Sequence, residues 1–246
     1  MPELSVVIPV FDDEEVLPEL FSRLSTVLES SFSGYEIVFI DDGSSDSSLN
    51  ILKDLQKKYK QILIVKLREN YGQSNAIAAG LENANGENIV VMDSDLQDKP
   101  EDIPILSEAL RSSNAEMVIA RWTESNITFC KQFISASFVL FSNSITTIQQ
   151  PLNLGVFRIF TRKALNKVML KKIVSGTILS RFYSSGIPYR TIDLQRDKRF
   201  AGKTGYNFKK LIELALNRIL PNLKLPKVNL RRDPEFIIEK IYGKKP

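Results

Sequence analysis

The stretch Glu87–Asp98, ENIVVMDSDLQD, joins a short run of valine and isoleucine directly to a cluster of acidic residues. The apolar run does not alternate with polar residues, which is typical of a strand buried on both faces of a parallel sheet. Asp93 and Asp95 follow this run, two positions apart. In extended backbone such side chains point to the same side, so the two carboxylates can share one hard cation. The stretch therefore predicts a strand that carries a metal site at its carboxyl end.

Four more apolar runs of the same kind lie in the first half of the chain, at Leu4–Val10, Tyr35–Ile40, Ile62–Leu67 and Glu116–Ala120. Between them, leucine, isoleucine and valine recur at helical spacing. This alternation predicts an α/β fold with a Rossmann-like, mostly parallel central sheet flanked by helices. In such sheets the ligand lies beyond the carboxyl ends of the strands.

The second half of the chain is less regular. The pattern predicts helices at Phe129–Ile148, Arg162–Leu170 and Lys209–Leu220, and strands at Leu154–Phe160 and Ile187–Leu194. Three prolines then interrupt the remaining residues, which are rich in lysine and arginine.

The composition excludes several chemistries, because the chain has no histidine and only one cysteine, Cys130. A Ser-His-Asp triad, an imidazole metal site and an internal disulfide are all excluded. A metal must be held by oxygen ligands, which favours Mg²⁺ or Mn²⁺. The absence of a signal peptide and of an apolar stretch long enough to span a bilayer predicts a cytoplasmic protein.

The charges are distributed unevenly along the chain. From Arg196 onward, 14 Lys and Arg stand against 5 Asp and Glu, a net charge of +9. The remaining 19 basic and 24 acidic residues give the first 195 residues a net charge of −5. The basic C-terminal part is suited to phosphates or anionic lipid. Nucleic acid is not an expected partner, because the basic stretch lacks the interleaved aromatic residues of stacking platforms.

Acidic turns follow three of the predicted strands, at Pro9–Glu15, Asp41–Asp46 and Asp93–Asp98. If the strands are parallel, the three turns meet at one edge of the sheet. Repulsion among so many carboxylates costs stability unless a cation or ligand donors offset it. The set therefore predicts a functional site.

The segments VVIPVFDDEE, DDGSSDSS, LRENYGQSNAIAAG and DSDLQD, in this order and spacing, resemble family 2 glycosyltransferases of the GT-A fold. Among these, the chain is similar to polyprenol-phosphate glycosyltransferases, of the dolichol-phosphate mannosyltransferase and undecaprenyl-phosphate types. The resemblance covers about residues 4–215. It implies a GT-A domain at 1–210, with a nucleotide-sugar half (1–120) and an acceptor half (121–210). The sequence itself then predicts a basic helical tail, 211–246, without a transmembrane helix.

The resemblance implies a role for each matching residue. In the nucleotide site, Pro9, Phe11 and Asp13 would line the nucleoside pocket, Asp41 and Asp42 would face the base and ribose, and Asn70 and Gly72 would close the nucleotide side. In the metal site, Asp95 would bind the cation with Gln97 beside it, and Asp93 would contact the metal or the ribose. The donor would be a UDP-, GDP- or dTDP-sugar.

Four basic residues match phosphate-binding positions of these relatives. Arg121 and Lys131 would hold the acceptor phosphate, and Arg199, with Lys203, would close over the donor diphosphate. Three of the residues named above would then act directly on the reacting groups. Asp95, through its metal, and Arg199 would stabilise the leaving diphosphate, and Arg121 would place the acceptor.

The chain departs from many relatives at Val156, where they carry an acidic residue. Transfer to a sugar hydroxyl needs a base to take its proton, whereas a phosphate acceptor is already an anion. The departure favours a polyprenyl phosphate acceptor, although Asp98 and Glu124 remain candidate bases. The alternatives are transfer to a saccharide hydroxyl in surface polysaccharide assembly, and a non-catalytic nucleotide-sugar binder.

A second departure concerns the membrane, because such relatives often continue into transmembrane helices. Here basic residues follow instead, namely Arg231, Arg232, Lys240, Lys244 and Lys245. They predict peripheral contact with the anionic inner face of the cell membrane. The oligomeric state is left open, with a homo-oligomer among the possibilities.

Overall fold

The computed structural model describes residues 1–122, 154–170, 177–197, 200 and 236–243. The strands are Leu4–Val10 (β1), Tyr35–Asp41 (β2), Ile62–Leu67 (β3), Asn88–Val91 (β4), Met117–Trp122 (β5), Leu154–Thr161 (β6), Tyr189–Leu194 (β7) and Ile238–Tyr242 (β8). The helices are Leu17–Ser31 (α1), Ser48–Lys58 (α2), Gln73–Asn83 (α3), Ile103–Arg111 (α4), Arg162–Leu170 (α5) and Ile178–Ser184 (α6). A short 3₁₀ turn, Pro100–Asp102, leads into α4.

The described strands form one eight-stranded sheet in the order β7-β5-β6-β4-β1-β2-β3-β8. The pairs β1–β2, β1–β4, β2–β3 and β5–β7 are parallel. β6 is antiparallel to β4 and β5, and β8 is antiparallel to β3. All strands except β6 and β8 therefore run in one direction, which confirms the predicted mostly parallel α/β sheet. The carboxyl ends of β1, β2 and β4 lie at the same edge.

Helices cover both faces of the sheet. On one face, Leu24 of α1 and Leu106 of α4 are buried in a cluster that includes Phe157 of β6. On the other face, Phe160 of β6 packs against Phe182 of α6, with 4.4 Å between ring centroids. All seven residues of β1 are buried. Cover on both faces explains why the apolar runs do not alternate with polar residues.

The opposite edge of the sheet, at the amino ends of β1 and β2, is held by a buried polar network. Glu36 is 2% exposed and accepts hydrogen bonds from the Ser5 hydroxyl and from the backbone N–H of Asn85. The Ser5 hydroxyl in turn accepts from the backbone N–H of Gly86, and the Arg162 guanidinium donates to the carbonyl of Gly86. These contacts fix the connection between α3 and β4 at this edge of the sheet.

The structure corrects the expectation of a helical tail at 211–246, because Ile238–Tyr242 is a strand. β8 pairs with β3, and the Lys66 ammonium lies 2.6 Å from a Glu239 carboxylate oxygen. The run FIIEKIY at 236–242 is rich in β-branched and aromatic residues, which favour strands. Its position covers the backbone groups of β3 that would otherwise form an open edge. The rest of this segment, apart from 236, 237 and 243, lies outside the described residues.

The described parts of the second half follow the predicted pattern. β6, α5 and β7 lie where the sequence places a strand, a helix and a strand. The predicted helices Phe129–Ile148 and Lys209–Leu220 lie outside the described residues. Across the part of the chain that is described, no helix combines the length and apolarity needed to cross a bilayer.

Candidate active site

The three acidic turns meet at the carboxyl ends of β1, β2 and β4, as the sequence predicts. After β4, the Ser94 hydroxyl donates a hydrogen bond of 2.6 Å to Asp13, which follows β1. After β2, the backbone N–H of Ser45 donates to Asp12 at 2.7 Å. Hydrogen bonds to carboxylates offset the repulsion among them, and these cross-links join the turns into one surface.

The turn after β1 presents an aromatic ring beside a strained residue. Phe11 is 45% exposed, whereas Pro9 is buried within the strand. Asp12 has a φ of 53°, in the left-handed region that non-glycine residues rarely adopt. Burial raises the pKa of Asp13, although hydrogen bonds from Ser94 and from the Phe11 N–H oppose the shift. Of the residues expected at the nucleoside pocket, Phe11 therefore offers the open surface, and Pro9 belongs to the core.

Asp42 organises a neighbouring loop through its carboxylate. Its two oxygens accept hydrogen bonds of 2.8 and 2.9 Å from the backbone N–H groups of Tyr71 and Gly72. Asp42 is 3% exposed, and burial raises its pKa to about 6 despite these two donors. The resemblance implies that Asp42 faces the base and ribose. The structure adds a second role, because this carboxylate holds the loop before α3 in place.

Asp41 is fully buried beside Asp42. One of its carboxylate oxygens accepts from the Ser44 N–H, and the other has no hydrogen-bond partner within the described residues. Burial raises the pKa of Asp41, with Lys66 acting in the opposite direction. Asp41 and Asp42 are both buried, so the contacts with base and ribose that the resemblance implies for them stay predictions.

The loop between β3 and α3 contributes Asn70, Gly72 and Gln73. Asn70 is exposed. Gly72 has a φ of +86°, and nothing lies within 4 Å of the place where a Cβ would be, so its backbone faces open space. Gln73 donates a hydrogen bond of 2.6 Å from its amide to Asp93. Sequence reasoning missed Gln73, although it lies within the segment LRENYGQSNAIAAG.

The loop after β4, with Asp93, Asp95 and Gln97, is held by local hydrogen bonds and carries strain. Asp95 accepts from the backbone N–H of Gln97 at 3.1 Å. Between them, Leu96 has a φ of 60° while its side chain is 1% exposed. A left-handed leucine costs about 1–2 kcal/mol, and the burial of its side chain offsets that cost. Backbone strain of this kind is concentrated at functional sites.

The donor set of this loop fits a hard cation whose coordination a ligand completes. Within the described ranges, no three acidic or cysteine side chains converge to hold a metal by themselves. Mg²⁺ and similar ions are commonly bound by one or two carboxylates together with substrate phosphates. Asp95 and Asp93 can supply those carboxylates, while Asp93 also accepts from Gln73 and lies 3.4 Å from an Arg196 nitrogen.

Behind the loop, the fully buried carboxylate of Asp98 pairs with the partly exposed Arg196, and sequence reasoning did not identify this pair. Asp98 is 0% exposed, accepts from the backbone N–H of Asp93 at 3.1 Å, and lies 3.6 Å from Arg196 Nε. Burial raises the pKa of Asp98, although the charge of Arg196 opposes the shift. These contacts give Asp98 a role in holding the loop, and its use as a base for a hydroxyl acceptor stays a prediction.

Comparison with known proteins gives the family. The model of glycosyl transferase family 2 matches residues 5–174. The chain belongs to glycosyl transferase family 2. An uncharacterized glycosyltransferase of Synechocystis is 35% identical over 226 residues, which cover 91% of this chain and 70% of that protein. The uncharacterized glycosyltransferase YkcC of Bacillus subtilis is 31% identical over 217 residues, which cover 88% and 67%.

Solved structures share the fold of this family 2 glycosyltransferase. Glucosyl-3-phosphoglycerate synthase of Mycobacterium tuberculosis, in complex with Mn²⁺, UDP and glucosyl-3-phosphoglycerate, matches with a TM-score of 0.60 and 16% identity, covering 91% of this chain and 82% of that one. Residues 1–349 of TarS from S. aureus match with a TM-score of 0.53 and 17% identity, covering 91% and 67%. These likenesses confirm the predicted GT-A fold.

The part of this family 2 glycosyltransferase that is predicted to bind the acceptor, 121–210, is described only in part. Arg121, near the end of β5, makes a bidentate ion pair with Asp193 of β7, and both side chains are about half exposed. Lys131, Arg199 and Lys203 lie outside the described residues, so their roles stay predictions. The role of Arg121 at an acceptor phosphate also stays a prediction.

Proposed function

We propose that this glycosyltransferase moves a sugar from a nucleotide-sugar donor to a polyprenyl phosphate, using Mg²⁺ or Mn²⁺. The observation that carries the proposal is the contact between the loop after β4 and the turn after β1, made by the 2.6 Å bond from Ser94 to Asp13. This contact brings the carboxylates of Asp93 and Asp95 to the same surface as the exposed ring of Phe11. A nucleoside diphosphate presents both matching chemistries, a base that stacks on aromatic rings and a diphosphate that binds a cation.

On the donor side, Asp95 and Asp93 would hold the metal. A bound metal would neutralise the negative charge that develops on the leaving diphosphate. Gln73 is the first residue of α3 and bonds Asp93, so the amino end of α3 adjoins the loop. The positive end of a helix dipole favours anions. The open backbone at Gly72 gives room for a phosphate to approach.

On the acceptor side, the described residues favour an acceptor that is already an anion. Val156 takes the position at which the family resemblance implies an acidic residue, and Asp98 is buried and paired. Arg121 offers an exposed guanidinium with the fork geometry that suits a phosphate. An acceptor phosphate needs no base, and its oxygen would attack the anomeric carbon as the donor diphosphate departs. Glu124 lies outside the described residues.

The proposal includes peripheral contact with an anionic membrane, which carries the polyprenyl phosphate. Lys240 lies exposed on β8, with its ammonium 4.9 Å from the centre of the Tyr242 ring. Basic residues near such a surface contribute about 1 kcal/mol each. The other basic residues expected to take part lie outside the described ranges.

The acceptor is tested by donor turnover with undecaprenyl phosphate in vesicles and with a soluble saccharide, each with Mn²⁺ and a panel of UDP-, GDP- and dTDP-sugars. We expect turnover with the lipid phosphate alone. Turnover with the saccharide and none with the lipid would select the polysaccharide alternative. Donor binding without turnover on either acceptor would select the non-catalytic binder.

The metal site is tested by Asp95→Ala, for which we expect at least a roughly 100-fold loss of turnover with Mn²⁺. Asp54→Asn is the matched control, because Asp54 is an exposed carboxylate that pairs only with Lys57 on α2 among the described contacts. Full activity of Asp95→Ala would contradict the proposal.

A further inference from the structure

The segment that follows β7 lies against the loop that carries Asp95. The backbone N–H of Asp197 donates to the carbonyl of Gln97 at 3.1 Å, and that of Phe200 donates to the carbonyl of Asp95 at 3.4 Å. Lys99 adds an ion pair of 3.1 Å with Asp197. These contacts fix Arg196, which precedes Asp197, over the candidate metal site.

Arg196 lies between two carboxylates and an aromatic ring. Its Nη2 is 3.4 Å from Asp93 Oδ2, its Nε is 3.6 Å from Asp98 Oδ1, and its guanidinium is 5.3 Å from the centre of the Trp122 ring. Well-formed hydrogen bonds between a guanidinium and a carboxylate are about 2.7–2.9 Å long. Arg196 Nε and Asp98 Oδ1 are buried and have no hydrogen-bond partner within the described residues. The guanidinium is thus held by one long hydrogen bond to Asp93, by the charge of Asp98 and by the face of the Trp122 ring.

The position of Arg196 opposes binding of a metal to the nucleotide-free site. A cation beside Asp93 and Asp98 neutralises one of their two negative charges, which weakens the attraction of the loop for a second cation. A donor diphosphate reverses this balance, because it brings oxygens that bind a metal and also attract a guanidinium.

We propose that Arg196 holds the cation position beside Asp93 until the donor arrives, so that the metal binds tightly only together with the diphosphate. The inference rests on the proposed use of a diphosphate donor. Arg196 acts here as a positioning residue, since it works through Asp93 and through the order in which metal and donor bind. Trp122 is the only tryptophan of the chain, so its fluorescence reports on the guanidinium that lies over it.

The first test measures Mn²⁺ binding to nucleotide-free protein by electron paramagnetic resonance. In Arg196→Met we expect Mn²⁺ to bind about tenfold more tightly than in the unmodified protein, because the competing charge has been removed. Adding Asp93→Asn to Arg196→Met should restore weak binding. Lys163→Met is the matched control, because it removes one positive charge whose ion pair is with Glu116, just before β5 and far from the loop, and we expect its Mn²⁺ binding to be unchanged. Unchanged or weaker Mn²⁺ binding in folded Arg196→Met would overturn the proposal.

The second test uses the unmodified protein, so it does not depend on the folding of a variant. We expect Trp122 fluorescence to change when Mn²⁺ and UDP are added together, and to change little with Mn²⁺ alone. A full change at the same Mn²⁺ concentration without UDP would overturn the proposal. Neither test needs an acceptor or turnover, so a failure here is distinguishable from a failure of the proposed transfer reaction, which the activity of Asp95→Ala reports.

Discussion

Gln73 donates a 2.6 Å hydrogen bond to Asp93, and this bond joins the first turn of α3 to the loop after β4. The two residues come from different strand–helix units, so the bond fixes one side of the candidate metal site relative to the other. It also takes one oxygen of Asp93, while Arg196 lies beside the other.

Replacing Gln73 by alanine should weaken donor binding more than it weakens the fold. Gln73 is exposed, so we expect little change in Tm. Asp93 loses the donor that orients it, and we expect a rise in the donor KM of about tenfold, equivalent to about 1.4 kcal/mol. Steady-state kinetics checks the first expectation and thermal unfolding the second. The neighbouring exposed Ser74→Ala is the control, and equal effects of both substitutions would contradict the prediction.

Asp42 should make stability depend on pH. Burial raises its pKa from the ordinary value of 3.8 to about 6 in the folded protein, so the folded protein binds this proton more tightly than the unfolded chain. The stability contributed by the protonated group is present below about pH 4 and is lost as the pH rises through about 6, by about 1–3 kcal/mol. Asp42→Asn cannot titrate.

Urea unfolding between about pH 4 and pH 7 measures this contribution. We expect the free energy of unfolding of the unmodified protein, relative to that of Asp42→Asn, to fall across this interval. Asp42→Asn also loses one of the two hydrogen bonds from backbone N–H groups at every pH. This loss lowers its free energy of unfolding without changing the expected pH dependence. A difference between the two proteins that stays constant with pH would contradict the assignment.

Gly43→Ala should destabilise the protein by about 2–4 kcal/mol, because the residue is left-handed and closely packed. Gly43 has a φ of +72°, and an added Cβ would lie 2.6 Å from the Glu69 carbonyl carbon and 2.7 Å from the Asn70 nitrogen. Gly34→Ala is the control, since nothing lies within 4 Å of a Cβ there, and we expect a change within about 0.5 kcal/mol. Chemical denaturation measures both. Similar values for the two variants would show that the turn after β2 does not pack in this way.

Glu36→Ala should lower stability without changing the chemistry of the site. It leaves the Asn85 N–H and the Ser5 hydroxyl without their buried acceptor, at a cost of about 2–4 kcal/mol. The network lies at the amino ends of the strands, across the sheet from the acidic turns. We expect kcat and the donor KM to be unchanged at temperatures where the variant is folded. Glu29→Ala, at an exposed position on α1, provides the control.

The strands and the acidic edge could be predicted because their signals are local. Unbroken valine and isoleucine runs indicate burial on both faces, and the residues after such runs must lie at the carboxyl edge. The pair Asp93 and Asp95 needed no knowledge of distant contacts. The family resemblance added the assignment of roles to positions.

Other parts of the site could not be predicted, because they depend on contacts between distant residues. Arg196 and Asp93 are 103 positions apart, and neither has a local pattern that indicates the pairing. Asp42 has the same sequence signature whether its carboxylate binds a ligand or two backbone N–H groups. β8 was missed because Glu239 and Lys240 interrupt its apolar pattern, and they do so because one face of an outer strand meets solvent.

The pairing of β8 with β3 has a consequence for how the protein is made. Lys66 and Glu239, which join the two strands, are 173 positions apart. During synthesis, β1 to β5 emerge long before β8, the strand that covers the outer edge of β3. Until then β3 presents unpaired backbone groups that can recruit another chain. A fragment cut near residue 210 would keep that edge open permanently, and self-association of such a fragment would be the expected result.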